Sequence, residues 1–258
     1  MLKSINSTIL LLAFLCGFML TVNAQDDSSY AMWENIILTP DNTKLKALGE
    51  SMRAHNMKYH ASGTHEATVF TISSGPNAGK IVWSMGPVMF KHLDSRPAAD
   101  GHDEDWRDNV MPYIKKINTI EYWSAWRPEL HNVDMLGTEE VTHPIMYIRY
   151  WEVNPGNGFN IRDVFEKVSK AVKAMDGENP WGIYENEFNQ GKKIGRHLAT
   201  ISFHKSWTDF DEGWNDFRKS FESANGENSW QPHINKRNAT FKNWWDEIWV
   251  YDKNMSGK

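Results

Sequence analysis

The sequence predicts an α+β fold built from one β-α-β-β-α-β unit used twice. Three observations carry this. The hydrophobic period switches between 2 and 3.6 in the same order in both halves, and a glycine-containing turn joins two strand-like runs in the middle of each. Each half also ends on a strand with the same start, Glu121-Tyr122-Trp123-Ser124-Ala125 in the first and Glu247-Ile248-Trp249-Val250-Tyr251 in the second.

In the first half, Trp33 to Leu38 reads as a strand stopped by Thr39-Pro40-Asp41. Leu45, Leu48, Met52 and His55 then recur at helical spacing up to Tyr59. Ala67 to Ser73 alternates and is rich in β-branched residues, Gly75-Pro76-Asn77-Ala78-Gly79 makes a turn, and Ile81 to Met85 returns as the second strand of a hairpin. A polar loop, Arg96 to Glu104, leads to a predicted helix with Trp106, Val110, Ile114 and Ile117 on one face, and Ile120 to Trp126 closes the unit.

From Ile145 the order starts again. Ile145 to Val153 is a strand, and Asn160 is a candidate N-cap with Asp163 in the first turn behind it. Ile161, Val164, Phe165, Val168, Val172 and Met175 form an apolar helical stripe. Trp181 to Phe188 and His197 to His204 are strands around a turn at Asn189 to Lys193. Ser206 with Asp209 resembles a capping box opening a helix with Phe210, Trp214, Phe217 and Phe221 on one side. Ala224 to Arg237 reads as a long polar loop before a last strand, Trp245 to Tyr251. The expected organisation is a first half over 25–127, a linker over 128–142 with Pro128 and Gly137, and a second half over 143–258.

This duplicated unit, its central hairpin and the paired last strands resemble the ferredoxin-like, dimeric α/β-barrel superfamily in a tandem, secreted bacterial form. That superfamily includes small monooxygenases of antibiotic biosynthesis, haem-degrading enzymes and chlorite dismutases. The resemblance implies two units closing on each other as an intrachain barrel. It rests on topology and matches no catalytic motif of the family, so it implies a fold and no particular reaction.

The first 24 residues run from Lys3 through the apolar stretch Ile9 to Leu20 to Val22-Asn23-Ala24, the pattern of a secretory signal peptide cut before Gln25. The apolar run of about 12 residues is too short for a span, which needs roughly 20. Cys16, the single cysteine, would leave with this leader, so the mature chain is expected to be soluble, secreted or periplasmic, and free of disulfides, thiolate nucleophiles and cysteine metal ligands. Losing Lys3 takes the formal charge from −5 to −6, and no basic block interrupts it. Nucleic acid and anionic membrane surfaces are therefore poor partners.

Alternation on the last strands puts Glu121 and Trp123, and Glu247, Trp249 and Tyr251, toward the barrel interior, with Ile248 and Val250 toward the helices. A glutamate beside an indole in a low-dielectric cavity is a candidate general acid or base, so Glu121 and Glu247, with His197, are the expected catalytic candidates. A rim carboxylate paired with Arg149 or Arg196 is the structural alternative. Trp123, Trp249, Tyr251, Trp151, Tyr147 and Arg149 are the expected ligand-binding residues. No metal site is assigned, because His55, His60 and His65 lack the one-turn spacing of a two-ligand face. The superfamily resemblance implies that a haem enzyme would need one axial histidine, and His92, His102, His131, His143 and His233 are all open for it.

The expectation is a pocket inside the barrel for a small apolar or aromatic molecule, serving an enzyme that is cofactor-free or haem-dependent, or plain binding. The alternatives for 13 tryptophans are a carbohydrate-binding module with exposed stacking faces and an interaction module using them as anchors. Reaction, cofactor and oligomeric state stay open at this stage.

Overall fold

A computed structural model of the chain describes residues 30–96, 100–136, 141–190, 197–214 and 216–258. The expected leader, Gly137 of the expected linker, Arg196 and the expected turn residues Gly191, Lys192 and Lys193 lie outside them. In the first half, β1 (Met32–Pro40), α1 (Leu45–Tyr59), β2 (Ala67–Ser74) and β3 (Ile81–Val88) precede the one-turn helices α2 (Phe90–Leu93) and α3 (His102–Asp105), and β4 (Ile114–Ala125) ends it. The second half runs β5 (Ile145–Val153), α4 (Ile161–Lys173), β6 (Trp181–Asn186), β7 (Leu198–His204), α5 (Asp209–Glu212), α6 (Phe217–Asn225), α7 (Trp230–Thr240) and β8 (Phe241–Tyr251).

All eight strands form one closed antiparallel barrel in the order β1-β3-β2-β8-β5-β7-β6-β4. Strand order is the same in each half, β4-β1-β3-β2 and β8-β5-β7-β6. Two seams join them: β2 with β8, where Phe70 faces Tyr251 and Ile72 faces Trp249, and β4 with β6, where Trp123 faces Asn186. At the first seam Gly75 takes φ +96°, and a Cβ there would lie 2.3 Å from the Asp246 carbonyl, so only glycine lets the hairpin turn approach β8 this closely.

Three apolar layers result. The barrel interior is filled from every strand, with Ile37, Ile72, Val82, Trp123, Ile148, Tyr150, Ala199 and Trp249 in contact and Tyr184 of β6 packed against them. Outside the first half, Leu48 and Met52 of α1 cover Leu38, Val69, Ile81 and Trp83. Outside the second, Val164, Phe165 and Val172 of α4 cover Trp151, Trp181, Ile183 and Leu198. β1 and β5 bury residues on both faces, which is why they read as largely apolar runs, whereas β4 leaves Ile117 and Ile120 39% and 45% exposed. Burial of each large side chain here contributes about 1.5–3 kcal/mol.

Three expectations are corrected. The helix with Ile114 and Ile117 does not form. A π-turn (Trp106–Val110) and a 3-10 turn (Met111–Tyr113) follow α3, and β4 starts at Ile114. Pro112 has no N–H for a helix interior, and Ile114, Ile117 and Ile120 pair with Pro40, Leu38 and Ile36 of β1 instead. The helix expected from Phe210 to Phe221 is split, because Gly213 breaks it at φ +58°, ψ −170°. The polar stretch before β8 contains α7, whose Pro232 is tolerated in the first turn. Its composition hid it: only His233 and Thr240 are buried.

Candidate functional site

The outer face of β5, β7 and β8 presents alternate residues to the helices above. Tyr147, Arg149 and Trp151 come from β5, Thr200, Ser202 and His204 from β7, and Asp246 from β8. Between this face and α4, α5, α6 and α7 lies a pocket of about 370 Å³, roofed by Phe165, Phe210, Trp214, Phe217 and Trp230, with His233 and Arg237 reaching it from α7. A second, more polar cleft of about 320 Å³ adjoins it at Ser202, His204 and Trp214. The volume and the sparse polar lining are those of a small-molecule site.

The polar groups have distinct roles. Arg149 donates two parallel hydrogen bonds to Asp246, Nε to Oδ1 at 2.7 Å and an Nη to Oδ2 at 2.8 Å, and a third to the Tyr147 hydroxyl at 2.6 Å. The Tyr147 hydroxyl in turn donates to Asp246 Oδ2 at 2.7 Å. Burial tends to raise the Asp246 carboxyl, but the bonds from Arg149 and Tyr147 outweigh it and hold the group below the usual carboxylate range. Burial and the bond to Asp246 push the Tyr147 hydroxyl up. Arg237 is different. Among the described residues its guanidinium bonds the amide oxygen of Asn238 and lies over the Trp244 ring, with no carboxylate partner. Burial and then repulsion from Arg149 lower its pKa; Asp246 answers Arg149, while Asp209, the other carboxylate at the pocket, accepts from the Lys205 N–H and the Ser206 hydroxyl.

Ser202 Oγ lies 3.0 Å from Nε2 of His204, whose ring stacks on Phe210. Burial lowers the His204 imidazole, leaving it neutral at pH 7. No acidic group hydrogen-bonds its other nitrogen among the described residues, so the pair lacks the orienting third member of a nucleophile triad.

The residues expected at one interior site divide between two faces. Glu121, Trp123, Glu247 and Trp249 do point into the barrel, and Tyr251 packs on Phe70 at its end. The glutamates are 1% and 0% exposed, and neither pairs with Arg149, which is committed to Asp246 on the opposite side of the sheet. Tyr147, Arg149 and Trp151 are not interior: strand alternation on β5 turns them outward while Met146, Ile148 and Tyr150 turn inward. His197 stands just before β7, where its Nδ1 accepts the Val153 N–H at 2.9 Å, and it does not line the outer pocket. The sequence names His233 only among five histidines open for an axial role and does not single out Arg237 or Trp230, because the α7 segment reads as a polar loop. Sequence reasoning also missed the meeting of His55, His60 and His102 in the first half, which only the tertiary fold brings together.

No protein-family model and no curated protein matches the sequence. Solved structures do match. A candidate monooxygenase of Fusobacterium nucleatum superposes with a TM-score of 0.55 at 7% identity, over 86% of this chain and 93% of its own. A chlorite dismutase mutant of Candidatus Nitrospira defluvii gives 0.52 at 7%, over 88% and 95%. A candidate monooxygenase of Lactobacillus acidophilus gives 0.50 at 12%, over 87% and 95%. The chain has the dimeric α/β-barrel fold. Within a dimeric α/β barrel the interior and the helix-covered outer faces are separate compartments, and the pocket here belongs to an outer face.

Of the five histidines open for an axial role in such a barrel, only His233 lines the pocket. His131 bonds the carbonyls of Trp126 and Ile183, His92 takes the Met89 N–H, His143 lines the adjoining cleft, and His102 is in the first half. His233 is 4% exposed between Phe221 and Trp230, and burial with the nearby Arg237 charge pushes its imidazole down to about 4. Its Nδ1 is buried with no hydrogen-bond partner. A ligating imidazole is held by an acceptor on its second nitrogen, so this donor set does not fit a haem.

Proposed function

We propose that the mature chain is a secreted protein of two ferredoxin-like units in tandem whose outer pocket in the second half binds a small, planar aromatic or apolar molecule carrying an acid group. The observation behind this is Arg237: a half-buried guanidinium without a carboxylate partner among the described residues, lining a pocket rich in aromatic rings. A buried cation is costly unless paired, and a ligand carboxylate would complete it with a charge-assisted hydrogen bond. The rings of Trp214, Phe217 and Trp230 supply faces for an aromatic body. The carbohydrate-module alternative gains little support, since of the tryptophans only Trp207 and Trp244 are largely exposed, at 52% and 39%, too few for a stacking row.

The test is titration of the purified mature protein with 2-naphthoate and with its neutral counterpart 2-naphthol, followed by tryptophan fluorescence. Preference for the acid of about 10-fold or more, lost in Arg237→Gln, is expected from one charge-assisted contact. Equal binding of both probes would overturn the acid assignment, and binding of neither would remove the pocket from consideration. Intact-mass analysis of the exported protein checks the leader, with Gln25 as the expected first residue.

A further inference from the structure

Three imidazoles meet under the helices of the first half. His55 lies in the last turns of α1, His60 caps its C-terminus, and His102 opens α3. One ring nitrogen from each falls within 4.8 Å of the others, and the three ring centroids form a near-equilateral triangle with sides of 4.9, 5.1 and 5.3 Å. His55 and His60 are buried and His102 half-buried, with Tyr59, Trp83 and Trp106 packed around them.

The hydrogen bonds fix which nitrogens are free. His55 Nδ1 lies 2.7 Å from Asp105 Oδ2, His60 Nδ1 lies 2.7 Å from the His65 carbonyl, and His102 Nδ1 lies 2.8 Å from Asp103 Oδ1. Carbonyl and carboxylate oxygens only accept, so each Nδ1 must carry the proton and each neutral ring keeps its lone pair on Nε2. Yet Nε2 of His60 and Nε2 of His102 face each other at 3.0 Å, and Nε2 of His55 is buried with no partner. Two lone pairs at that distance repel unless a cation lies between them. A proton would satisfy His60 and His102 and leave His55 orphaned. A metal ion satisfies all three.

We propose that His55, His60 and His102 form a three-histidine site for a divalent transition-metal ion, zinc being the reference case, bound through Nε2 of each. Zn–N bonds of about 2.0–2.1 Å in tetrahedral geometry place ligand nitrogens about 3.3–3.4 Å apart, close to the 3.0 Å between the two facing atoms, and a ring nitrogen of His55 lies within 4.8 Å of both partners. Asp105, the His65 carbonyl and Asp103 are the outer acceptors that orient ligating imidazoles and set their tautomer. Three protein ligands leave a fourth position for water or another oxygen donor.

The experiment uses the full mature chain without a histidine tag, stripped with a chelator and titrated with Zn2+ and with Co2+. Expected are one bound ion per chain by elemental analysis, the visible bands of a tetrahedral Co2+ centre, and a higher melting temperature with metal. His102→Gln, at the most accessible ligand, should weaken Zn2+ binding at least about 100-fold, and Asp105→Asn about 10–100-fold as an outer-acceptor loss. Circular dichroism establishes that both variants are folded, so they answer the question even where His55 variants do not fold. Failure of the stripped chain to take up either ion, or uptake that His102→Gln and Asp105→Asn leave unchanged, would overturn the site.

Discussion

Glu121 and Glu247 occupy matching places in the two halves. Each side chain enters the closed interior and accepts the indole N–H of the tryptophan two residues on, at 2.8 Å from Trp123 and 2.9 Å from Trp249. Glu247 also accepts from the Asn77 amide at 2.7 Å. The pairing is local to one strand face, so the same Glu-x-Trp spelling builds the same contact twice. Replacing either glutamate by Gln keeps the shape but exchanges one accepting oxygen for an amide donor, and a loss of about 1–2 kcal/mol is expected in chemical denaturation, similar in the two halves. Both changes should leave naphthoate titration unaltered, because neither side chain reaches the outer pocket. A loss of binding without a loss of stability would return the two glutamates to the list of site residues.

On the outer face, Asp246 neutralises one of two neighbouring cations. Asp246→Asn removes that anion while keeping a hydrogen-bonding group beside Arg149 and Tyr147. Stability should fall by no more than about 1 kcal/mol, since both partners are partly open to solvent and screened. Affinity for an aromatic acid should rise several-fold, because the pocket gains one net positive charge. Calorimetric titration of this variant against the parent checks the sign, and weaker acid binding would contradict the electrostatic picture.

His233 makes folding sensitive to acid. Its imidazole is held down to about 4 in the fold, against an ordinary value near 6.5 in the unfolded chain, so between those values the unfolded state binds more protons. Stability from this group is fully present above about pH 6.5 and is lost as pH falls toward 4, by up to about 3 kcal/mol over that window. Melting temperatures measured from pH 7.5 to 4 should show a shallower decline in His233→Phe than in the parent. Superimposable profiles would mean that other buried histidines carry the acid response.

Much of the strand architecture is legible in the sequence, and the same strand order recurs as β4-β1-β3-β2 and β8-β5-β7-β6. The limits of α1 follow from the spacing of its buried stripe, and those of β5 from a run buried on both faces. The failures are equally specific. Ile114 and Ile117 suit a helix face and a strand face alike, and Pro112 was the signal that should have decided between them. The α7 segment carries only two buried side chains, too few to leave a period, yet it supplies His233 and Arg237 to the pocket. Interior tryptophans were readable from alternation. Placing Tyr147, Arg149 and Trp151 inside as well was not supportable, because alternation on β5 sends them the other way once Ile148 and Tyr150 are fixed in the barrel. The histidine triangle joins α1 to α3 across a loop and has no linear signature.

Closure of the sheet through two short seams within one chain has a further consequence. A ring made by two identical subunits must carry the same chemistry on both outer faces, and it comes apart on dilution. Here both halves are covalently joined, so the edges at β2 and β8, and at β4 and β6, find each other at a local concentration set by the connecting loop. Each outer face is then free to specialise. Three imidazoles meet on one outer face while aromatic rings and guanidinium groups line the other, an asymmetry that strict twofold symmetry would forbid.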